Sequence, residues 1–423
     1  MTLALLLSLV VTQGHPRFER FCSRSDQGRS SRGLPCGGAF FEAFPVNGRG
    51  TTGVCSAVAP TGAKGETLTF TRASNGTCTK TATGGLTTTA IADGDLVVLS
   101  SNVVRQEYDA QGFIGALVEQ AGTNIAVRSA EICNAAWVDV GTPACATDQG
   151  PGPFGTTTMD SVTDNDGAAF EGRSQVIVST SATQFTVACY VKWSSGAATS
   201  ASITLTGTGS ATGDCTGTKS SLSTTTSSIV ECTSPAAYAG TLTAVTVAIR
   251  VGTVASDQGT LLIEGCDVKA SAPYRTSHQP TTNIAVARAV ETASFAPTWP
   301  NSASISMANS FTGPTPVTGG AACTLEFAGL TAILNESAGQ WRFFTVSSGL
   351  GTTITSSTNG IRTYGYHTGS FREVAWGANV ASGADVNASN KFAATLFVGG
   401  SGGARPDGII SRVCVDQDGA RCR

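Results

Sequence analysis

Charge is scarce in this 423-residue chain. Asp, Glu, Lys and Arg together make up 13% of it, and the formal net charge is −3. A net charge that small gives no field strong enough to imply nucleic acid or an anionic membrane as partner. Histidine occurs only as His15, His278 and His367, and no Cys-x-x-Cys pair is present, which argues against a zinc site. A Ser-His-Asp site needs a positioned histidine. Only His367, in "YGYHTGSF", has aromatic neighbours and a plausible loop, and no Gly-x-Ser-x-Gly elbow lies beside it. Glycines sit between apolar segments, where turns need them, and form no phosphate cradle. No apolar run is long enough to span a bilayer. Helix-forming Glu and Lys are thin throughout, which disfavours a helical fold.

What is plentiful is Thr, Ser, Val, Ala and 50 Gly, the balance of short strands and tight turns. In "QFTVACYVKW" (184–193), Phe185, Val187, Cys189, Val191 and Trp193 alternate with Thr186, Ala188, Tyr190 and Lys192. "TAVTVAIRV" sets Val245, Val247, Ile249 and Val251 against Thr246, Ala248 and Arg250, and "KFAATLFV" aligns Phe392, Ala394, Leu396 and Val398. Period-two alternation bounded by turn residues predicts antiparallel strands with one buried face, and several in succession make a sandwich or jelly roll.

Both ends carry further signals. Leu3–Val11 is a nine-residue apolar run with Thr12 and Gly14 placed as a cleavage pair, which predicts a signal peptide over 1–14 despite the absence of a preceding positive charge. Residues 15–65, with Arg17, Arg20, Arg24, Arg29, Arg32 and Arg49, read as a basic flexible segment. Thirteen cysteines spread along an exported chain predict disulfides. Plausible local pairs are Cys22–Cys36, Cys55–Cys78, Cys133–Cys145, Cys215–Cys232 and Cys414–Cys422, and the odd count leaves at least one thiol free or intermolecular.

Three stretches carry a resemblance. "TFTRAS" (69–74), "VRQEYDAQGFIGALVEQAGTN" (104–124) and "SAEICNAAW" (129–137) resemble a recurrent module of bacteriophage tail and other virion surface proteins, found also in bacterial secreted proteins. The resemblance implies that the last element feeds a jelly roll like those of carbohydrate-binding modules, closing on "LLIEGCDVKASAPYRTSHQPTTNIAVARAVE" (261–291). Residues 292–423 look only generally like a concanavalin-type sandwich. The expected division is therefore 66–130 for the motif strands, 131–283 for the jelly roll and 284–423 for a concanavalin A-like sandwich. The pattern leaves two topologies open: sandwiches in series, or strands of 66–128 pairing with the C-terminal sandwich, so that the jelly roll (about 130–280) is an insertion. Buried Trp137 would pin the chain where it enters the jelly roll.

Two candidate sites follow. "MDSVTDNDGAAFEG" concentrates Asp160, Asp164, Asp166 and Glu171, oxygen donors suited to a structural Ca²⁺, although the spacing is not that of an EF-hand and an ordinary acidic turn is the alternative. Tyr190, Tyr364, Tyr366, His367 and Trp376 are candidates for stacking on sugar rings, with core packing as the alternative. Tyr190 and Trp193 lie on opposite strand faces, so one of them should point outward. Glu326 and Glu373 stand alone and form no carboxylate pair of the glycosidase kind. The reading is an all-β protein of two β-sandwich (jelly-roll) domains, secreted or displayed on a surface, without catalysis. Its expected job is binding a cell-surface or matrix polysaccharide. A structural subunit of a virion fibre, tail or appendage, forming a homo-oligomer, is the alternative.

Overall fold

The structure is a computed structural model that describes residues 40–43, 68–79, 90–109, 112–178, 183–197, 199–209, 212–238, 242–270, 275–296, 305–312, 322–327, 330–336, 340–345, 352–355, 362–368, 371–376, 379–384, 395–399 and 408–416. All regular elements among the described residues are strands, paired antiparallel into two sandwiches. No helix among them is long and apolar enough to cross a membrane.

One sandwich takes strands from both ends of the chain. Its first sheet runs Asn379–Ala384, Phe371–Trp376, Arg362–Thr368, Ile305–Thr312, Gly408–Asp416, Gly112–Val118 and Arg105–Asp109. Its second runs Thr69–Thr71, Thr292–Phe295, Leu396–Val398, Ala322–Phe327, Thr331–Glu336, Gln340–Thr345 and Thr352–Thr355. Between them Met307, Ile410, Val413 and Val415 from one sheet meet Phe295, Leu325, Phe327, Phe343 and Leu396 from the other. Gly112–Val118 pairs with Gly408–Asp416, and Thr69–Thr71 pairs with Thr292–Phe295. The chain thus leaves this sandwich after Val118 and rejoins it at Thr292. The second of the two open topologies is the one adopted.

The inserted segment, joined by Ala90–Ile91 from before it, builds the jelly roll. One sheet orders Ala144–Gly152, Gly155–Asp164, Gly259–Ala270, Phe185–Gly196, Ser227–Thr233 and Ala90–Ile91. The other orders Cys215–Lys219, Ala201–Thr208, Ala244–Val251, Gly172–Val178 and Val138–Val140. Phe185, Val187, Cys189, Val191 and Trp193 of one alternating run and Val245, Val247, Ile249 and Val251 of the other are all buried in the core between them. Gly122–Asn124 and Val286–Arg288 pair with each other at the mouth of the insertion. Asn124 is buried there with all its polar atoms engaged. Its Nδ2 donates to the Gln279 and Cys266 carbonyls (2.8 and 3.3 Å), and its Oδ1 accepts from Val268 and Ala126 (2.9 and 3.1 Å). Such a group costs stability unless every atom is paired, so its satisfaction specifies one way of closing the loop. Beyond it the chain turns three times, with N–H bonds from Glu131 to Arg128, Asn134 to Glu131 and Trp137 to Asn134. Trp137 is buried in the jelly-roll core, and its indole N–H donates to the Arg128 carbonyl (3.2 Å).

Several expectations need correction. Phe40–Ala43, assigned to the flexible segment, is a strand on Gly408–Asp416. Gly112–Val118 covers only Gly408–Ile410 of that edge, and Phe40–Ala43 takes up Val413–Asp416 beyond it. Unpaired strand edges are costly, and the "FFEA" segment supplies extended apolar backbone to cover this one. Cys133–Cys145 and Cys215–Cys232 are disulfides, and a third, Cys189–Cys266, joins adjacent strands across 77 residues. Pairing cysteines by nearness in sequence misses a bridge set by strand register. The pairs Cys22–Cys36, Cys55–Cys78 and Cys414–Cys422 and the signal segment lie outside the described residues.

Candidate functional site

The motif residues converge at the crossing between the sandwiches. Glu291 Oε1 holds Arg72 (2.8 Å) and Oε2 holds Arg105 (2.5 Å), while Glu119 Oε2 holds Arg105 (2.5 Å) and Arg288 (2.8 Å). All five side chains are completely buried. Ser277 adds its N–H and hydroxyl to Glu119 (2.7 and 2.5 Å), and Arg72 also donates to the Ser74 and Ser100 carbonyls. The cluster faces no solvent, so these residues clamp the two chain crossings together and are not placed to hold a ligand.

Burial works against the Glu119 charge, yet Arg105, Arg288 and Ser277 outweigh it and hold its pKa well below the ordinary 4.5. The unfolded chain therefore binds this proton more readily than the folded one, so the contribution is complete above about pH 4.5 and declines as pH falls below it. The wild-type urea midpoint should drop between about pH 6 and pH 3 by more than that of a Glu119→Gln variant, which is weaker at neutral pH but lacks this proton. Equal drops would show that the carboxylate is not tied as described.

The four acidic residues singled out for calcium divide. Asp164, Asp166 and Glu171 wrap one turn and accept its backbone N–H groups: Asp164 from Asp166 and Glu171, Asp166 from Ala168, and Glu171 from Asn165 and Thr142. Asp160 lies four residues back along the same strand, roughly 13 Å away at strand rise. There it accepts from Cys133 (2.7 Å) and Asp148 (3.1 Å). Among the described residues no three ligating side chains stand close enough to hold a metal ion.

Tyr190 needs a second correction. It does lie on the face opposite Trp193, but both are buried. Ile91, Leu96, Ile229 and Phe154 cover its face, and its ring meets Phe154 edge-on (6.2 Å between centroids) and His278 (5.9 Å). Alternation separates the two faces of a strand without saying what covers each. Here Ala90–Ile91, paired at the sheet edge with Ser227–Ser228, and Leu96–Leu99, both of which precede the insertion, bring Ile91 and Leu96 against this face. Burial pushes the Tyr190 phenol up.

For Tyr364, Tyr366, His367 and Trp376 the side chains lie outside the described residues, but the strand register is set. Gly365 is buried opposite Met307 and Val374, and a Cβ there would run into the Phe343 ring. His367 is at the same strand parity as Gly365, and Trp376 is paired with Thr363 of that parity. Tyr364 and Tyr366 occupy the other parity, in cross-strand rows with Ala375 and Val380 and with Glu373 and Ser382. Val380 and Ser382 are exposed, so that parity faces outward.

A pocket of about 310 Å³ opens at the rim of the jelly roll, lined by Glu131, Asp148, Phe154, Thr158, Asp160 and Glu264 among others. Glu264 is completely buried, and its Oε1 accepts the Phe154 N–H (3.0 Å). Gly152 makes room for it, since a Cβ there would strike both Glu264 and Met159. Burial pushes the Glu264 carboxyl up, against the opposing influence of Thr158, the Phe154 N–H, His278 and Lys192. Burial likewise raises Asp160, helped by the charges of Asp148 and Glu131. Sequence reasoning missed this pocket. The available signal was Glu264 inside the apolar run "LLIEGCDV", where a carboxylate is out of place on either strand face.

No protein family matches the chain, and no curated protein matches it. Among solved structures, it is similar to the CBM22-1-GH10 modules of Clostridium thermocellum xylanase 10B complexed with xylohexaose. That match has 10% identity and a TM-score of 0.28 and covers 38% of this chain and 30% of that one. The chain thus spans less than a third of that structure's length. It is also similar to the CBM22-1-CBM22-2 tandem domain of Paenibacillus barcinonensis Xyn10C (10% identity, 71% of this chain, 98% of that one, TM-score 0.28). A Stig cyclase from Fischerella sp. TAU matches at 11% identity over 36% of this chain and all of that one, with a TM-score of 0.27. At this level the likeness says nothing about what the chain binds.

Proposed function

We propose that this protein is a non-catalytic, secreted or surface-displayed glycan-binding protein that contacts polysaccharide through the outer face carrying Tyr364 and Tyr366. The observation that carries this reading is their strand register, alternate to the buried Gly365 and in cross-strand rows with Glu373, Ser382 and Val380. Two aromatic positions spaced along one strand, flanked by polar groups, offer what a sugar chain needs: ring faces for its C–H surfaces and hydrogen-bonding groups for its hydroxyls. Disulfides within the jelly roll accord with an oxidising compartment. The absence of catalysis is supported by Glu326 and Glu373, which stand on the outer parities of two facing sheets, with the hydrophobic core between them.

A glycan array probed with the whole chain should return bound polysaccharides. Tyr364→Ala and Tyr366→Ala should each weaken the best of them by about three- to tenfold, the size of a lost aromatic contact. Binding untouched by both substitutions would end this reading, and sugar released from a polysaccharide panel would replace it with an enzymatic one.

A specific observation favours the structural alternative. Val138, Val176 and Val178 share the outer face of the five-stranded sheet and are 61%, 61% and 84% exposed. A flat apolar sheet face suits subunit packing in a fibre, tail or appendage. A trimer or filament in sedimentation, without sugar affinity, would favour it.

A further inference from the structure

Three carboxylates of the jelly-roll pocket have no cation of their own. Arg128 neutralises Glu131 (3.0 Å). Lys192, whose field reaches Glu264, is committed to Asp93 (3.0 Å) and the Pro151 carbonyl, and His278 lies against Asp267 (3.1 Å). Asp148, Asp160 and Glu264 remain. Asp160 is served by two backbone N–H groups, but Glu264 Oε2, completely buried, has no hydrogen-bond partner. The Thr158 hydroxyl beside it, which favours its ionised form, also makes no hydrogen bond that meets ordinary geometry. A buried carboxylate oxygen left without a donor is costly, so a group that brings one to it is stabilised there.

We propose that this pocket binds a primary ammonium group, the free amine of an amino sugar or of a small alkylamine. The inference does not rest on the tyrosine face, which belongs to the other sandwich. An ammonium brings one positive charge and a donor for Glu264 Oε2 to a pocket whose wall also carries the Asp148 and Asp160 carboxylates. The Phe154 ring in the wall supplies a negative face for the same charge and an apolar one for the carbons behind it. A metal ion is the poorer fit, because among the described residues no three His, Cys, Asp or Glu side chains stand together to ligate one, whereas an ammonium is held by one carboxylate at hydrogen-bond distance with the others contributing charge. The volume, about 310 Å³, is at the small end for ligand pockets, right for a single sugar ring or a short chain.

Calorimetric titration of the whole protein with glucosamine, N-acetylglucosamine and 1,4-diaminobutane tests this. Glucosamine, diaminobutane or both should bind, and N-acetylglucosamine should bind at least tenfold more weakly than glucosamine or not at all. A preference for glucosamine identifies an amino-sugar site, and a preference for diaminobutane an alkylamine site. Glu264→Gln, which keeps the acceptor for Phe154, should weaken the bound amine about ten- to a hundredfold. Asp148→Asn, at an exposed strand position where the register shifts and φ is 56°, a conformation asparagine tolerates, should weaken it in the same direction without disturbing the fold. Tyr364→Ala should leave it unchanged. Equal affinity for glucosamine and its N-acetyl form, binding of neither amine, or displacement of the amine by stoichiometric calcium would each overturn the assignment.

Discussion

Replacing Glu291 with glutamine should destabilise the folded chain by about 3–5 kcal/mol, the usual cost of breaking a buried ion pair by removing one partner. Glu291 is completely buried, ties Arg72 and Arg105 with separate oxygens, and accepts the Glu119 N–H (2.8 Å). Without its charge Arg105 retains Glu119, but Arg72 is left with backbone carbonyls alone. That uncompensated guanidinium, not the lost attraction, is the main source of the penalty. A double substitution, Arg72→Met with Glu291→Gln, should therefore recover part of the loss. Urea unfolding followed by tryptophan fluorescence measures both. A loss under about 1 kcal/mol would mean that water reaches the cluster. Because Glu119 and Glu291 sit on the two crossings between sandwiches, the variant should also be cut by protease near 119–121 and 289–291 before the sheets are.

Removing the Cys189–Cys266 bridge should cost more than removing either shorter one. A cross-link restricts the unfolded chain in proportion to the logarithm of the loop it closes, giving about 4.5 kcal/mol for this separation and about 3 kcal/mol for the shorter pairs. The separations are 77, 12 and 17 residues. Cys189 and Cys266 are buried in the jelly-roll core, so alanine at both positions also leaves a small void in the same cluster as Val187 and Val268. The urea midpoint of Cys189→Ala/Cys266→Ala should lie below that of Cys133→Ala/Cys145→Ala. In the native protein a mild reductant should open Cys133–Cys145, which is only half-buried, first. The reverse order on either measure would place the long bridge outside the packed core.

The candidate sites show where local reading stops. Period-two alternation identified the buried face from Phe185 to Trp193, because the side-chain period of a strand is a local property. The same reasoning left one of Tyr190 and Trp193 for solvent, and both are covered, since the segment folded over Tyr190 begins about 100 residues earlier. The acidic turn was legible as a cluster of carboxylates. That three of them cap their own backbone while Asp160 serves a different loop was not, because hydrogen-bond partners depend on where neighbouring strands bend.

By itself the sequence determined that the chain is all-β, that it is built from sandwiches, and which residues of its clearest alternating runs face a core. These follow from composition and spacing along a few residues at a time. Tertiary structure alone decided that Arg72, Arg105, Glu119, Arg288 and Glu291 form one buried clamp, that Cys189 meets Cys266, and that Asp148, Asp160 and Glu264 share a pocket with Phe154. Each of these unites residues tens to hundreds of positions apart, and such meetings are set by strand register and by how sheets pack, which no local pattern encodes.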